Sequence, residues 1–329
     1  MQVVLATDFG APSVLRLAER PDPVPGPGQV TIDVSHAAVG LIDVFFRQGL
    51  FKDQPGSAKP PFVPGLEVAG TVRALGDGVT GLEVGEQVVT MSDGSGLGGY
   101  ASIYVAPTSA VVSIEGRGID PALAVSVVPN AAMAHVALTR IAHLAAGERV
   151  LIHGALGGFA AAFPGIAREL GASRVVGTVR PSKLAAAAST RLPYDEVVDS
   201  TDLLRVLGDE RFDVVVDPVG GQLRADSLAV MAPGGRLIAS GNASGQWDHT
   251  LDTNQLWFGS VAIAGFNAGA LLPAHPEVIR PALEAAVDAV AAGLGQTEVD
   301  VLPLSEAAAA HERMENRSLS GRIALMPER

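Results

Sequence analysis

The sequence contains no cysteine among its 329 residues. This absence excludes disulfide bonds, thiolate catalysis and zinc sites with cysteine ligands. Lysine is also scarce: the chain has only Lys52, Lys59 and Lys183, and its acidic side chains outnumber the basic ones to give a net charge of −12. Nucleic acids and anionic membranes favour proteins with clustered basic residues, so neither is an expected partner.

Long hydrophobic runs and an N-terminal targeting pattern are missing as well. Hydrophobic residues make up 48% of the chain, but no apolar run reaches the roughly 18 residues of a membrane span. The first residues lack a basic start followed by an apolar block, which is the pattern of a signal peptide. We therefore expect a cytoplasmic protein.

The histidines and serines lack the spacings of two large catalytic classes. No H-E-x-x-H or related pattern occurs among the seven histidines, so no metal site is expected. His153 ends an apolar run, where packing explains it. A serine hydrolase is poorly supported, because the chain contains no G-x-S-x-G motif.

One stretch in the middle of the chain has the order strand, glycine turn, helix, strand. Its parts are the apolar run Arg149–His153, the turn Gly154-Ala155-Leu-Gly157-Gly158, the helical segment Phe159–Leu170 and the β-branched run Arg174–Val179. Backbone N–H groups of such a turn can approach a pyrophosphate, next to the positive end of the helix. We predict a nucleotide-binding turn; the alternative is a tight turn without a ligand.

The end of the second strand indicates which nucleotide would bind. NAD sites place an acidic residue there for the ribose hydroxyls, whereas NADP sites place cations for the 2′-phosphate. Here Thr178 is followed by Arg180, Ser182 and Lys183, with no acid. The pattern favours NADPH, and the alternative is that the two cations are solvated residues at a helix start.

The regions around this stretch differ in character. Residues 1–123 contain short runs of strand type separated by Pro and Gly clusters, which is typical of a partly open barrel. Residues 124–267 alternate strands and helices, which predicts a doubly wound parallel sheet of six strands. Pro129 is expected to break or start a helix. The late strand candidates 297–302 and 322–326 are expected to return to the first domain.

Asp213 and Asp217 flank a buried run of valines in one of the parallel strands. The carboxyl ends of such strands face the ligand crevice, so Asp217 could line it. The alternative, which we prefer, is that Asp217 caps the following helix.

Several motifs together resemble the medium-chain dehydrogenase/reductase superfamily, in its zinc-free quinone oxidoreductase branch. Residues 61–70, PFVPGLEVAG, are similar to its P-F-x-P-G-x-E-x-x-G segment, with Leu66 at the place of a zinc-ligating His in other branches. Asp43 to Gly49 resembles the D-x-x-x-R-x-G loop near the active site. Further matches are Gly85–Val88, Gly98–Ala101, Asp217–Gly221, Ala232–Arg236 and Ser320–Ile323.

The resemblance implies a GroES-like barrel over residues 1–123 and 268–329, with a Rossmann domain at 124–267 inserted between the two parts. It implies NADPH as the cofactor and hydride transfer to a quinone or an α,β-unsaturated carbonyl compound. It also implies a homodimer formed through the Rossmann edge strand Val261–Gly265.

The resemblance further implies two sets of site residues. Residues expected to line the active site are Gly40, Asp43, Arg47, Phe51, Met133, Asn242 and Asn267. Residues expected to bind the cofactor are Gly154, Ala155, Gly157, Gly158, Phe159, Thr178, Arg180, Lys183, Gly241, Asn242, Phe266, Asn267 and Arg322.

The chain departs from the family pattern at five positions that belong to these two sets or lie next to them. Gly40, Phe51 and Met133 replace the usual Asn, an aromatic hydroxyl and Thr, and the turn carries Phe159 and Ala160 where small residues are usual. The alternative function is therefore a non-redox one, either a cyclase- or lyase-like biosynthetic enzyme or an NADPH-binding protein without reductase activity. An acyl-thioester enoyl reductase would need a basic track for the phosphates of its substrate.

Overall fold

The structure, a computed structural model, describes residues 1–54, 56–93, 97–295, 297–316 and 321–328. It contains two compact units. The first comprises Met1–Ala132, Leu272–Gly293 and Thr297–Arg329, and the second comprises Met133–Leu271 and Leu294–Gln296. The predicted boundary after residue 123 lies nine residues before the first division, and the predicted boundary at 268 lies four residues before the second.

The strands of the described residues occur in both units. In chain order they are β1 (Gln2–Ala6), β2 (Leu15–Glu19), β3 (Gln29–Val39), β4 (Val68–Leu75), β5 (Gln87–Thr90), β6 (Ile103–Pro107), β7 (Val111–Ser113), β8 (Arg149–His153), β9 (Arg174–Val179), β10 (Glu196–Asp199), β11 (Phe212–Asp217), β12 (Met231–Ala239), β13 (Ala262–Gly265), β14 (Val299–Pro303) and β15 (Arg322–Met326).

The α-helices of the same residues are mostly short. They are α1 (Leu41–Gln48), α2 (Pro121–Val136), α3 (Phe163–Glu169), α4 (Leu184–Ala187), α5 (Leu203–Leu207), α6 (Gln222–Ser227), α7 (Asn254–Gly259), α8 (Ala268–Ala274), α9 (Ile279–Ala291) and α10 (Ala307–Glu315).

The first unit is built on a mixed sheet with the strand order β14-β15-β3-β4-β5-β7, and β6 also pairs with β3. Val30, Ile32 and Val34 of β3 share the buried face that their alternation predicts. They form a core with Val68, Val88 and Ile323, among others. β14 and β15 come from the end of the chain, as predicted, and β15 pairs antiparallel with β3.

In the second unit, the described residues form a six-stranded sheet in the order β10-β9-β8-β11-β12-β13. All five pairings are parallel. The prediction of a doubly wound parallel sheet is confirmed. Because its strands are covered on both faces, their side chains are apolar in nearly continuous runs, as in Phe212–Asp217.

Two local predictions need correction, and one strand carries a register shift. Residues 43–49 were expected as a loop, but most of them lie in α1. Pro129 lies inside α2 and does not end it, because the residues around it are almost all buried and packing outweighs one missing hydrogen bond. β12 begins at Met231 and includes Pro233, because a register shift between Phe212 and Val214 of β11 accommodates the extra residues.

One described helical stretch, Pro121–Ile141, is long and apolar enough to span a membrane. The sequence did not predict it, because the stretch contains no single apolar run of that length. Of its most apolar window, 72% is buried inside the protein. Core helices of globular proteins pass the same test of length and composition, so the stretch is weak support for a membrane span.

Candidate functional site

The glycine turn follows β8 directly and is held against β9. Gly154 has a φ of +66°, a left-handed conformation that favours glycine. Its carbonyl accepts the N–H of Gly157 at 2.6 Å, and the N–H of Ala155 donates to the carbonyl of Thr178 at 2.9 Å. A side chain at Gly177 of β9 would lie 2.6 Å from Ala155 Cβ. The turn therefore rests directly on the neighbouring strand.

Phe159, the bulky departure in the turn, packs within an aromatic group. Its ring meets that of Phe163 edge-on at 4.9 Å and stacks with that of Phe266 at 6.4 Å with an interplanar angle of 8°. Phe163 is completely buried and Phe266 nearly so. Gly157 remains exposed, so its backbone is accessible beside the aromatic side chain.

The segment after β9 carries the cations predicted to select the cofactor. Arg180 and Ser182 are exposed, and Lys183 is partly buried at the end of a 3₁₀ turn, Pro181–Lys183. Thr178 differs from these residues, because its side chain is completely buried and contacts His153. The structure thus brings Arg180 and Lys183 to the surface and leaves Thr178 in the core.

Beyond β11 and β12, a loop network surrounds Gly241 and Asn242. Asp217 accepts the N–H groups of Val219 and Gly220 at 2.9 and 2.8 Å and the Arg224 Nε–H at 2.5 Å. Arg224 also donates to the Gly241 carbonyl at 2.6 Å. Asp217 thus holds the loop before α6 but does not cap the helix, because the N-cap residue is Gly221; the preferred capping role is wrong.

The other predicted residues near this end of the sheet make fewer contacts. The Asn242 side chain accepts the hydroxyl of Ser244 at 3.1 Å. Asn267 is exposed, and its carbonyl accepts the first N–H groups of α8. Met133 is partly buried on α2. These three side chains stay candidates for contact with a cofactor or substrate.

In the first unit, Asp43 ties α1 to its surroundings. Its carboxylate accepts the N–H of Gly40, the N-cap residue, at 2.8 Å and that of Gly65 at 3.2 Å. Asp43 is 1% exposed. Burial raises its pKa to about 7, although the hydrogen bonds from Gly40, Gly65 and the Tyr100 hydroxyl act in the opposite direction. Asp43 thus stabilises the start of α1 and has no exposed surface for a substrate.

The other end of α1 is fixed by α10. Arg47 is completely buried and forms an ion pair with Glu315, which also accepts a hydrogen bond from Gln48 at 2.7 Å. One turn earlier on α10, His311 Nε2 lies 3.0 Å from the hydroxyl of Tyr100. Burial, followed by the charge of Arg47, lowers the pKa of His311 to about 3. The pattern D-x-x-x-R therefore identifies residues that position α1.

Glu67 and Arg322 form a second pair of charges in the same unit. Burial and then the charge of Asp43 raise the pKa of Glu67 to about 8, and Arg322 opposes this shift. Burial lowers the pKa of Arg322 to about 10, opposed by Glu67. Arg322, predicted to bind the cofactor, thus has a carboxyl neighbour within its own unit.

Phe51 lies just beyond α1 in a cluster of phenylalanines. Its ring contacts those of Phe45 and Phe46 edge-on, at 6.3 and 5.2 Å. Gly40 is partly buried, and a Cβ there would lie 3.3 Å from Ile42 Cγ2 and 3.4 Å from Asp43 Oδ2. Gly40, where the family usually has Asn, and Phe51, where it usually has an aromatic hydroxyl, thus lie next to opposite ends of the same short helix.

Sequence reasoning missed Tyr100, His311, Glu315 and Ser227, which complete these networks. Each lies far along the chain from its partner: Glu315 lies 268 positions after Arg47, and Ser227 lies 74 positions after His153. Buried polar side chains need hydrogen-bond partners. An isolated polar residue within an apolar run was therefore the one sequence signal that could have pointed to these networks. Among the described residues, no group of three or more His, Asp or Glu side chains could hold a metal ion.

Two family models match the chain. Residues 26–116 match the alcohol dehydrogenase GroES-like domain and residues 192–325 match a domain described as zinc-binding dehydrogenase. The quinone oxidoreductase of Lama guanicoe is 30% identical over 74% of this chain and 73% of its own length. A 2-haloacrylate reductase of a Burkholderia species is 30% identical over 92% of both chains.

Solved structures agree with this relationship. A mycobacterial protein in complex with NADPH is 30% identical, covers 99% of this chain and 100% of its own, and has a TM-score of 0.85. The first unit accordingly has the GroES-like fold and the second the Rossmann fold. On these matches, the chain belongs to the quinone oxidoreductase family of medium-chain dehydrogenases/reductases, as an oxidoreductase.

Proposed function

We propose that the protein is a zinc-independent, NADPH-dependent reductase that transfers hydride to a quinone or an α,β-unsaturated carbonyl compound. The observation that carries the proposal is the exposed Arg180 and Ser182 and the partly buried Lys183 after the end of β9, beside the glycine turn. The NADPH complex of the mycobacterial relative supports the choice of cofactor. With an enone, a hydride would add to the β-carbon and a solvent proton to the α-carbon; with a quinone, one hydride and one proton would give the hydroquinone; NADP⁺ remains in either case.

The residues of the turn fit a bound dinucleotide. Gly157 is exposed, and a Cβ there would lie 2.9 Å from the Gly154 carbonyl, so only glycine leaves the backbone free. The Phe159 ring has its contacts with Phe163 and Phe266. The exposed backbone of Gly157 would approach the pyrophosphate, although its own N–H is bonded to the Gly154 carbonyl, and Arg180 and Lys183 would face the 2′-phosphate. When bound, the cofactor supplies the hydride.

Proximity and orientation would provide most of the catalysis, because the candidate residues offer no proton donor of suitable pKa at a substrate surface. Asp43 and Arg47 act through α1, which they hold at both ends. In the second unit, Asn242 and Asn267 are the side chains proposed to contact the nicotinamide; in the first unit, Phe51 is the one proposed to contact the substrate. A hydrophobic carbonyl compound fits the phenylalanines around position 51.

The direct test measures NADPH binding by fluorescence titration and NADPH oxidation with a panel of quinones and enones. We expect micromolar binding and turnover of at least one panel member. If NADPH neither binds at micromolar concentration nor is oxidised, the proposal is wrong. NADH serves as the comparison, since its weaker binding would reflect the missing 2′-phosphate.

The second candidate is a non-redox function on the same fold, and the all-phenylalanine surroundings of Phe51 favour it. The double variant G40N/F51Y restores the usual polar groups, and a Cβ at Gly40 requires only that the Ile42 side chain, 3.3 Å away, shift by a few tenths of an ångström. A reductase should keep or increase its turnover in this variant. A cyclase, a lyase or a pure binding protein should bind NADPH and show no reductase activity with or without the two changes.

An enoyl reductase for acyl thioesters remains less well supported. A hollow of about 590 Å³ in the first unit is lined by Lys52 and Lys59, but also by Asp8 and Asp53. Its charges therefore balance, and the hollow does not provide a basic track for a phosphate-bearing substrate.

We also propose that two copies associate through β13. It is an edge strand of the sheet, and its sequence Ala-Ile-Ala-Gly has neither charge nor proline. The opposite edge, β10, begins with Glu196 and ends with Asp199, as expected of a protected edge. Near β13, Trp257 and Phe258 are 74% and 77% exposed. An edge strand without charge or proline, beside exposed aromatic rings, can pair with the same strand of a second copy.

A further inference from the structure

His153 occupies a special place in the second unit. It is the last residue of β8 and directly precedes the glycine turn. It is completely buried, and both ring nitrogens have partners on other elements. Nδ1 lies 2.9 Å from the Thr178 hydroxyl on β9 and Nε2 lies 2.7 Å from the Ser227 hydroxyl on α6.

The direction of these hydrogen bonds follows from the neighbouring groups. The Ser227 hydroxyl donates its proton to the Leu223 carbonyl at 2.6 Å, so its oxygen must accept a proton from His153 Nε2. Nδ1 then carries a lone pair and accepts the hydroxyl proton of Thr178. The ring is thus neutral and in its Nε2–H form, and burial, which lowers its pKa to about 4, keeps it neutral.

Thr178 connects this ring to the turn. Its side chain donates to His153, and its carbonyl accepts the N–H of Ala155. Gly177, the preceding residue, leaves so little space that a Cβ would come within 2.6 Å of Ala155 Cβ. Tyr194 donates to the Ala155 carbonyl at 3.0 Å. Any shift of the end of β9 must therefore displace the turn.

From these contacts we infer that His153 is a positioning residue for the dinucleotide. Its Nε2–H form, held between Thr178 and Ser227, aligns the ends of β8 and β9 and so places the backbone of the turn. The inference rests on the proposed NADPH binding. The Thr178 hydroxyl is then a hydrogen-bond partner of His153 and not of the cofactor. The residues after β9 would bind the ribose and its 2′-phosphate.

The test compares T178V, which removes the hydroxyl at nearly constant volume, with T178S, which keeps it. We expect T178V to weaken NADPH binding about 5- to 20-fold, because His153 Nδ1 loses its donor. T178S should stay within about twofold of the wild type. The measurement is the dissociation constant from NADPH fluorescence, with the melting temperature of each variant recorded alongside.

T90V is the matched control. Thr90 is also buried, and its hydroxyl oxygen accepts the N–H of Val68 at 2.9 Å, but it belongs to the first unit. T90V should lower the melting temperature without changing NADPH affinity. If T178V binds NADPH like the wild type, or T178S is as weak as T178V, or T90V weakens binding equally, the inference is overturned.

A second measurement does not depend on the cofactor or on a substitution in the turn. The ¹⁵N chemical shifts of His153, assigned with an H153N variant, should show the neutral Nε2–H form down to about pH 5. The Nδ1–H form would overturn the inference. A wild type with the expected shifts that fails to bind NADPH would overturn the proposed function and, with it, the role in cofactor binding.

Discussion

At the scale of single residues, Arg180 and Lys183 carry the predicted choice of cofactor. Replacing both by Ala should weaken NADPH binding at least about 100-fold, because charge-assisted hydrogen bonds contribute about 1.5–3 kcal/mol each. NADH has no 2′-phosphate, so its affinity should be nearly unchanged. Titrations of the double variant with both nucleotides measure the effect.

The control is R191A, which removes an exposed arginine of the same unit. It should leave the ratio of NADPH to NADH affinity as in the wild type. An equal loss for both nucleotides in the double variant would show that the two cations act through general charge and do not recognise the 2′-phosphate.

Single residues also show where sequence reasoning ends. The glycine turn and the two cations were predictable, because they depend on neighbours within a few positions. Asp43 and Arg47 were placed near an active site by resemblance, whereas the structure shows both buried and bound to Gly65 and Glu315. Those partners lie far along the chain, and only the fold decides which distant residues meet.

At the scale of elements, the contact between the turn and β9 gives a second prediction. G177A places a methyl group 2.6 Å from Ala155 Cβ and 3.0 Å from Tyr194 Cε1. Overpacking of this kind costs about 1–3 kcal/mol, so the free energy of unfolding should fall by that amount. Chemical denaturation measures the loss, and NADPH binding should weaken in parallel.

Gly265 on β13 supplies the control, since it is a strand glycine of the same sheet where an added Cβ would meet no atom within 4 Å. G265A should unfold at the same denaturant concentration as the wild type. Equal stability of G177A and G265A would contradict the tight packing of turn and strand.

The elements themselves were predictable to different degrees. The bounds of β8, β9 and β11 match their apolar runs, because buried parallel strands are encoded locally. The short helix α1 was missed, since its stability comes from Asp43 at its start and Glu315 at its end. β7 and α7 were missed too, because three to six residues carry too little periodicity.

For the whole molecule, opposing pKa shifts predict how stability depends on pH. The pKa values of Asp43 and Glu67 rise to about 7 and 8 from 3.8 and 4.5. The folded state therefore binds more protons than the unfolded state across this range, and stability falls as pH rises. The lowered pKa values of His153 and His311 act oppositely, but only below about 6.5.

Between pH 6.5 and 8 the carboxyl groups dominate, and the free energy of unfolding should fall by on the order of 1 kcal/mol per pH unit. E67Q should flatten this slope, whereas E83Q, at an exposed position, should not. Urea denaturation at a series of pH values provides the data. A constant or rising stability over this range would show that Asp43 and Glu67 are ionised in the folded protein.

The proposed association through β13 is tested at the same scale. A262K adds a charge to the exposed first residue of the edge strand and should convert dimers to monomers, because edge charges oppose strand pairing. A186K, at an exposed position on α4, adds the same charge away from that edge and should stay dimeric. Light scattering after size exclusion gives the mass; a monomeric wild type would contradict the proposal.

The position of β15 between β14 and β3 has a consequence for synthesis on the ribosome. The Rossmann unit uses an almost continuous stretch of chain and can close as soon as that stretch has emerged. The GroES-like unit emerges first but cannot complete its sheet, because β3 lacks its partner β15 until residues 322–326 have been made. The order of folding is then the reverse of the order of translation, and the exposed edge of β3 is the place where a chaperone would be needed.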